Sequence, residues 1–120
     1  MTIAVARCIA LLTLTFAVIA AGPPSTTRYD VTLTERLPGA GSERGTLALR
    51  MPADGIVTGT YRDFDGNGPY VVSGGRRNGT IWLDYRDVHV TATIAPRGLD
   101  GRAFRGGDPA EYVFRAVAIP

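Results

Sequence analysis

The 120-residue sequence contains one cysteine, one histidine and one tryptophan, and it has no lysine. A single cysteine, Cys8, excludes an internal disulfide, so a domain of this size must fold by packing alone. One histidine, His89, with no second cysteine cannot supply the usual nitrogen and sulfur ligands of a zinc site. The serines, Ser25, Ser42 and Ser73, lie outside any nucleophile-elbow context. The sequence therefore predicts a protein that is not an enzyme and that needs no cofactor.

The charge is nearly balanced and is spread along the chain. The formal net charge is +2, and all 13 lysine-plus-arginine residues are arginines, interspersed along the chain with 11 acidic residues. Nucleic-acid binding needs a basic stripe that displaces counterions from phosphates. We therefore expect no nucleic-acid partner.

The N-terminal segment has the features of a secretory signal. Arg7 precedes an apolar run from Cys8 to Ala20, and small residues follow at Ala20, Ala21 and Gly22. The run has about 13 residues, whereas a membrane-spanning helix needs roughly 20. The pattern predicts a signal-peptide helix over residues 1–22, cleaved near Ala20 to Gly22, with no retained membrane anchor. Cleavage would remove Cys8 with the leader, and a secreted or periplasmic domain without cysteine is typical of bacteria.

After a short linker at residues 23–27, the chain alternates apolar and polar residues in eight short runs. Asp54-Gly55 and Asn78-Gly79 are strong signals for tight hairpin turns. Short spacings between the runs favour an antiparallel meander, and closure into a barrel removes exposed edges. The sequence predicts one all-β domain over residues 28–120, an eight-stranded up-and-down barrel, with a two-sheet β-sandwich as the alternative. The predicted strands are 28–36, 44–51, 55–62, 70–75, 80–85, 88–95, 99–104 and 111–119.

Three segments carry a resemblance to a known family. Residues 45–61 read G-T-L-A-L-R-M-P-A-D-G-I-V-T-G-T-Y, residues 70–74 read Y-V-V-S-G, and residues 85–89 read Y-R-D-V-H. Together they resemble the second-to-sixth strands of the avidin and streptavidin family of calycin-type barrels. The resemblance implies a small meander barrel that takes a ligand at its mouth.

The resemblance also implies positions for a ligand site. Tyr61 matches the tyrosine that hydrogen-bonds the ureido oxygen of biotin, and Trp82 lies near a pocket-lining tryptophan of the family. Val90, Ala92 and Ile94 stand where the family has a serine, a threonine and a further tryptophan. Each missing polar partner costs about 1–3 kcal/mol, so tight biotin binding is not expected. We therefore predict that these five residues bind a small, partly apolar ligand, and that Tyr61 makes the polar contact with it.

One loop has the first half of a calcium-binding pattern. Asp63, Asp65 and Asn67 place oxygen ligands on alternate residues before Gly68. Gly74 occupies the position where such a loop requires a bidentate glutamate. The ordinary interpretation is a polar loop between strands, and a weak metal site is the alternative.

Two functions follow from these observations. The first is a secreted, non-catalytic binding module that takes a small-molecule ligand at the barrel mouth. The alternative is a structural or interaction protein with a filled barrel, for example a small exported protease inhibitor, that contacts a protein partner through Leu37–Glu43 or Asp63–Pro69. Self-association into a homo-oligomer through Val113, Val117 and Ile119 is a further expectation.

Overall fold

The structure is a computed structural model that describes residues 25–37 and 41–120. The described residues contain eight strands and no helix. Among them there is accordingly no helix of the length and apolar character needed to cross a membrane. The predicted signal-peptide helix lies outside the described residues. The strands are β1 (Thr26–Glu35), β2 (Ser42–Arg50), β3 (Gly55–Asp63), β4 (Tyr70–Arg77), β5 (Thr80–Tyr85), β6 (Val88–Ala95), β7 (Gly98–Arg105) and β8 (Glu111–Ala118).

The eight strands form a closed antiparallel barrel. Each strand pairs with the next in the chain, and β8 returns to pair with β1 from Tyr29↔Ala118 to Glu35↔Tyr112. Closure leaves no strand with an unpaired edge, which suits short strands that follow one another directly. The prediction of an eight-stranded meander barrel is confirmed, and the strands do not separate into the two sheets of the alternative.

The alternation of the strands places one set of side chains inside the barrel. On β5, Ile81, Leu83 and Tyr85 are buried, whereas Trp82 and Asp84 face outward. Eighteen hydrophobic residues form a single buried cluster drawn from all eight strands. A barrel of eight strands is just wide enough for side chains to fill it. The interior is therefore a packed core.

Two glycines, Gly45 inside the barrel and Gly75 on its outer face, allow close packing between neighbouring strands. A Cβ atom at Gly45 would lie 2.3 Å from the hydroxyl oxygen of Tyr61, so the tyrosine side chain occupies the space above this residue. A Cβ atom at Gly75 would lie 2.2 Å from Cζ2 of Trp82. The first glycine makes room inside the barrel for a buried ring, and the second makes room on the outside for the indole.

The two ends of the barrel differ, and we name them by their residues. The loop end carries the connections 36–41, 64–69, 86–87 and 106–110. The arginine end carries the connections 51–54, 78–79 and 96–97, together with the start of β1 and the end of β8. At the arginine end, Asn78 has a φ of 55° and its backbone N–H donates to Oδ1 of Asp54 at 2.9 Å. This bond ties the two predicted hairpin turns to each other.

The strand bounds differ from the prediction by two residues at three places, described next, and by one residue at six others. β1 begins at Thr26, inside the predicted linker, because Thr26 pairs with Arg50. β2 begins at Ser42 and brings Glu43 into the sheet opposite Leu33. β4 continues past Gly75 to Arg77, which pairs with Thr80. In each case backbone pairing with a neighbour extends a strand through residues that alone are typical of loops.

Candidate functional site

Two ion pairs close the loop end of the barrel. Glu43 and Asp63 lie at the ends of β2 and β3 and point inward, as does Arg105 at the end of β7. The guanidinium of Arg105 pairs with the Glu43 carboxylate, and Arg86 Nη1 lies 3.5 Å from Asp63 Oδ2. Neither pair joins adjacent strands, so both bridges cross the barrel opening.

Aromatic rings hold both arginines in place. The guanidinium carbon of Arg86 lies 4.7 Å from the ring centre of Tyr70, and that of Arg105 lies 5.4 Å from the ring centre of Tyr112. The Tyr112 hydroxyl donates to Asp108 Oδ2 at 2.7 Å. Cation–π contacts of this kind contribute about 0.5–1 kcal/mol each at partly exposed sites. We call this group of side chains, which lies over the core, the polar plug: Glu43, Asp63, Tyr70, Arg86, Arg105 and Tyr112.

A pair of buried tyrosines lies directly beneath the plug. The rings of Tyr61 and Tyr85 stack with their centres 4.5 Å apart, and the Tyr61 hydroxyl donates to Glu43 Oε1 at 3.4 Å. Burial, reinforced by the negative charge of Asp63, raises the pKa of Tyr61 to about 12. Burial likewise raises the pKa of Tyr85, with the neighbouring Tyr61 as the next cause. Both side chains are therefore neutral at physiological pH.

Three buried polar atoms at this end have no hydrogen-bond partner among the described residues. They are Oδ1 of Asp63, the hydroxyl of Tyr85 and Nε of Arg105. A buried polar group without a partner costs about 1–3 kcal/mol. The plug thus holds an acceptor, a donor and a hydroxyl that its own ion pairs do not satisfy.

The residues predicted to bind a ligand fall into two places. Tyr61, Val90 and Ala92 belong to the buried core cluster, and Ile94 packs against that cluster near the arginine end. Trp82 is 44% exposed on the outer face, because its neighbours on β5 point inward. The structure does not bring Trp82 together with Tyr61. The alternation of β5 in the sequence already indicated an outward tryptophan.

Two grooves of the described residues lie away from the buried tyrosines, whereas a third, of about 390 Å³, lies at the loop end beside Glu43, Asp63 and Phe64. One of about 540 Å³ is lined by Ile56, Gly75 and Trp82. Another of about 500 Å³ lies beside the connection 96–97. Neither groove is lined by Tyr61, Val90 or Ala92, so both offer binding surface that the core does not.

The predicted calcium loop is held by backbone hydrogen bonds. The carboxylate of Asp63 turns into the barrel mouth toward Arg86, and Asp65 is exposed. The Asp63 N–H donates to the carbonyl of Asn67 at 3.0 Å, which is typical of a polar turn. Nowhere in residues 25–37 and 41–120 do three histidine, cysteine, aspartate or glutamate side chains come together to hold a metal ion. The backbone geometry of the loop is that of a polar turn, and a weak metal site at Asp63, Asp65 and Asn67 stays a prediction.

The same loop presents an exposed phenylalanine that the sequence did not single out. Phe64 is 76% exposed, yet its backbone N–H donates to the carbonyl of Arg44 at 3.0 Å. Arg62 Nη1 donates to the carbonyl of Gly66 at 3.1 Å, and the Arg44 guanidinium lies 5.6 Å from the Phe64 ring. We call residues 63–67 the Phe64 loop. An apolar tip on a fixed backbone was not visible in the sequence, because a lone phenylalanine among turn residues carries no periodic signal.

The single histidine forms a pair on the outside of the barrel. His89 Nδ1 lies 2.5 Å from Asp84 Oδ1, and both side chains are exposed. In the register of the sheet, Asp84 stands between Ser73 and His89. A serine–histidine–aspartate triad needs the histidine in the middle. The order seen here is that of a surface ion pair.

The Tyr85 hydroxyl has no hydrogen-bond partner among the described residues, and this leads to a testable prediction. Tyr85→Phe removes a buried polar group that has no partner, so we expect the free energy of unfolding to rise by about 1 kcal/mol. Tyr61→Phe removes the donor to Glu43, so we expect a decrease of about 1 kcal/mol. Urea denaturation of both variants measures the two changes. A Tyr85→Phe variant that is less stable than the parent would mean that the hydroxyl has a partner that the described residues do not provide.

The buried tyrosines also predict a pH dependence. The folded pKa of Tyr61 is raised to about 12 from an unfolded value near 10, so its contribution is fully present below pH 10 and is lost as the pH rises toward 12. Between pH 10 and pH 12, each buried tyrosine with a raised pKa lowers the free energy of unfolding by about 1.4 kcal/mol per pH unit. Denaturation at stepped pH measures this slope. The double variant Tyr61→Phe/Tyr85→Phe should have a clearly shallower slope, and equal slopes would refute the assignment.

Comparison with protein-family models, curated proteins and solved structures finds no match for this chain. The likeness to the avidin family remains a prediction from the sequence. The structure places Tyr61 inside the barrel and Trp82 on its outer face. Function has to be argued from the two ends and the outer surface of this barrel.

Proposed function

We propose that this protein is an exported, non-catalytic interaction module whose filled barrel presents the Phe64 loop to a protein partner. The observation that carries the proposal is a large apolar side chain, 76% exposed, on a backbone that hydrogen bonds fix to β2 and β3. Exposed aromatic residues on soluble proteins often serve as anchors in partner interfaces. The filled core supports this function over a ligand held inside the barrel.

The geometry of the loop favours binding with little loss of conformational freedom. Gly66 N–H donates to the Asp63 carbonyl at 2.8 Å, so the turn is closed before any partner arrives. A preorganised loop avoids part of the entropy cost that a flexible segment incurs on binding. Leu37, also exposed, lies at the same end and adds a second apolar contact. A protease inhibitor is one form of such a module, since inhibitors commonly present a rigid loop.

A photocrosslinking experiment tests the proposal. A benzophenone side chain replaces Phe64 in one variant and Val113, on the outside of β8, in the control variant. Both are exposed to the exported proteins of the source cells, and the crosslinked protein is identified and purified. We expect a discrete crosslinked partner from position 64, and from position 113 no crosslinked protein other than a second copy of this chain.

Affinity measurements with the identified partner then test the anchor itself. Phe64→Ala should weaken binding by about 30-fold or more, the loss typical of an interface hot spot. Val113→Ala should change the affinity by less than about twofold, because most residues outside the hot spot are nearly neutral. Equal affinities for the parent and Phe64→Ala, or no crosslink at position 64, would refute the proposal.

A small-molecule ligand at the loop end is the second candidate function. The observation that favours it is the set of three unpartnered polar atoms on Asp63, Tyr85 and Arg105. A ligand there would have to displace the ion pairs of Arg86 and Arg105 to reach Tyr61. The stability of Tyr85→Phe separates the candidates, because a ligand bound to that hydroxyl would make the variant less stable.

A further inference from the structure

The arginines are not paired in the same way at the two ends of the barrel. All eleven acidic residues of the sequence lie in the described ranges, so the ion pairs can be compared in full. Five arginines elsewhere in the barrel have a carboxylate within 4.0 Å: Arg36, Arg86, Arg102, Arg105 and Arg115. The other seven described arginines have no carboxylate within that distance among the described residues. Two of them, Arg44 and Arg62, lie toward the loop end, and five lie at the arginine end: Arg28, Arg50, Arg76, Arg77 and Arg97. The charge of this end is therefore unbalanced.

Only one acidic side chain lies among the connections of the arginine end. Asp54 is next to the β3 start, and its Oδ1 already accepts the Asn78 N–H. Arg76 donates to the Asn78 carbonyl at 3.1 Å, which fixes one guanidinium at the rim without neutralising it. The end thus presents several positive charges, one of them held in place at the rim, that an anionic partner from outside the chain can contact.

Exposed apolar side chains adjoin these charges. Ile56 pairs with Gly75 across β3 and β4, and Gly75 pairs with Trp82 across β4 and β5. The Trp82 indole lies above Gly75, and these three residues share a groove with Arg76 and Arg77. Tryptophan beside arginine is the combination that favours the interface between lipid headgroups and acyl chains.

We propose that the arginine end binds the surface of an anionic lipid bilayer, with the arginines on the headgroups and Trp82 and Ile56 at the interface. Clustered basic residues are attracted to anionic lipids, and exposed apolar side chains add burial in the headgroup region. β1 begins at this end, so the predicted apolar leader, Cys8 to Ala20, joins the barrel on the same side.

This proposal is independent of the proposed function. The Phe64 loop lies at the loop end, and the lipid contact uses the opposite end. A protein bound to a bilayer by its arginine end would present the Phe64 loop away from the membrane.

Vesicle binding tests the proposal with the exported chain from Pro23 onward, which contains every strand of the closed barrel. The probes are vesicles of phosphatidylglycerol in phosphatidylcholine and vesicles of phosphatidylcholine alone. We expect sedimentation with the anionic vesicles only, and loss of binding at about 1 M salt, where the Debye length falls to about 3 Å. Trp82 is the only tryptophan, so a blue shift of its fluorescence reports on this surface directly.

Matched charge variants identify the end that binds. Arg50→Gln/Arg77→Gln removes two unpaired charges and should weaken partitioning about 25-fold, at roughly fivefold per arginine. Arg102→Gln/Arg115→Gln removes two equally exposed charges that are already ion-paired, and should weaken it less than about threefold. Equal losses in the two variants, or binding without a Trp82 shift, would overturn the proposal. Binding to soluble polyglutamate as strong as binding to anionic vesicles would also overturn it, in favour of an acidic polymer.

Discussion

The space inside this barrel is fixed by the width of an eight-stranded sheet closed on itself. Alternation sends every second residue of each strand inward, and eight strands leave room for little more than those side chains. Tyr61, Leu83 and Phe114 are almost completely buried in that space. Because the core stabilises a domain that has no disulfide, the residues that fill it are not free to do other work. In the proposed function, binding therefore uses the ends and the outer face.

Electrostatics makes the two ends different. At the loop end, Arg86 and Arg105 reach across the opening to Asp63 and Glu43, so opposite charges satisfy each other inside the molecule. At the arginine end, residues such as Arg50 and Arg77 lack such partners among the described residues. Paired charges beside a packed core close the barrel, whereas unpaired ones remain available to another molecule.

The sequence predicted the strands well, because alternation and turn chemistry are local properties. Asp54-Gly55 and Asn78-Gly79 determine where hairpins turn, and the order of strands follows from the short connections. The site was harder to predict. The outward position of Trp82 follows from the alternation of β5 once the barrel closes. The pairing of Arg105 with Glu43, however, joins residues 62 positions apart, and no local pattern in the sequence indicates it. The exposure of Phe64 likewise depends on hydrogen bonds to another strand.

Binding of xenon to crystals of residues 23–120 tests the central claim most directly. Xenon enters dry apolar cavities and avoids interiors that side chains already fill. The account predicts no xenon site among the core residues, including the region between Tyr61 and Val90. A well-occupied xenon atom inside the barrel would show an apolar cavity there and would contradict the claim that function is confined to the ends and the outer face.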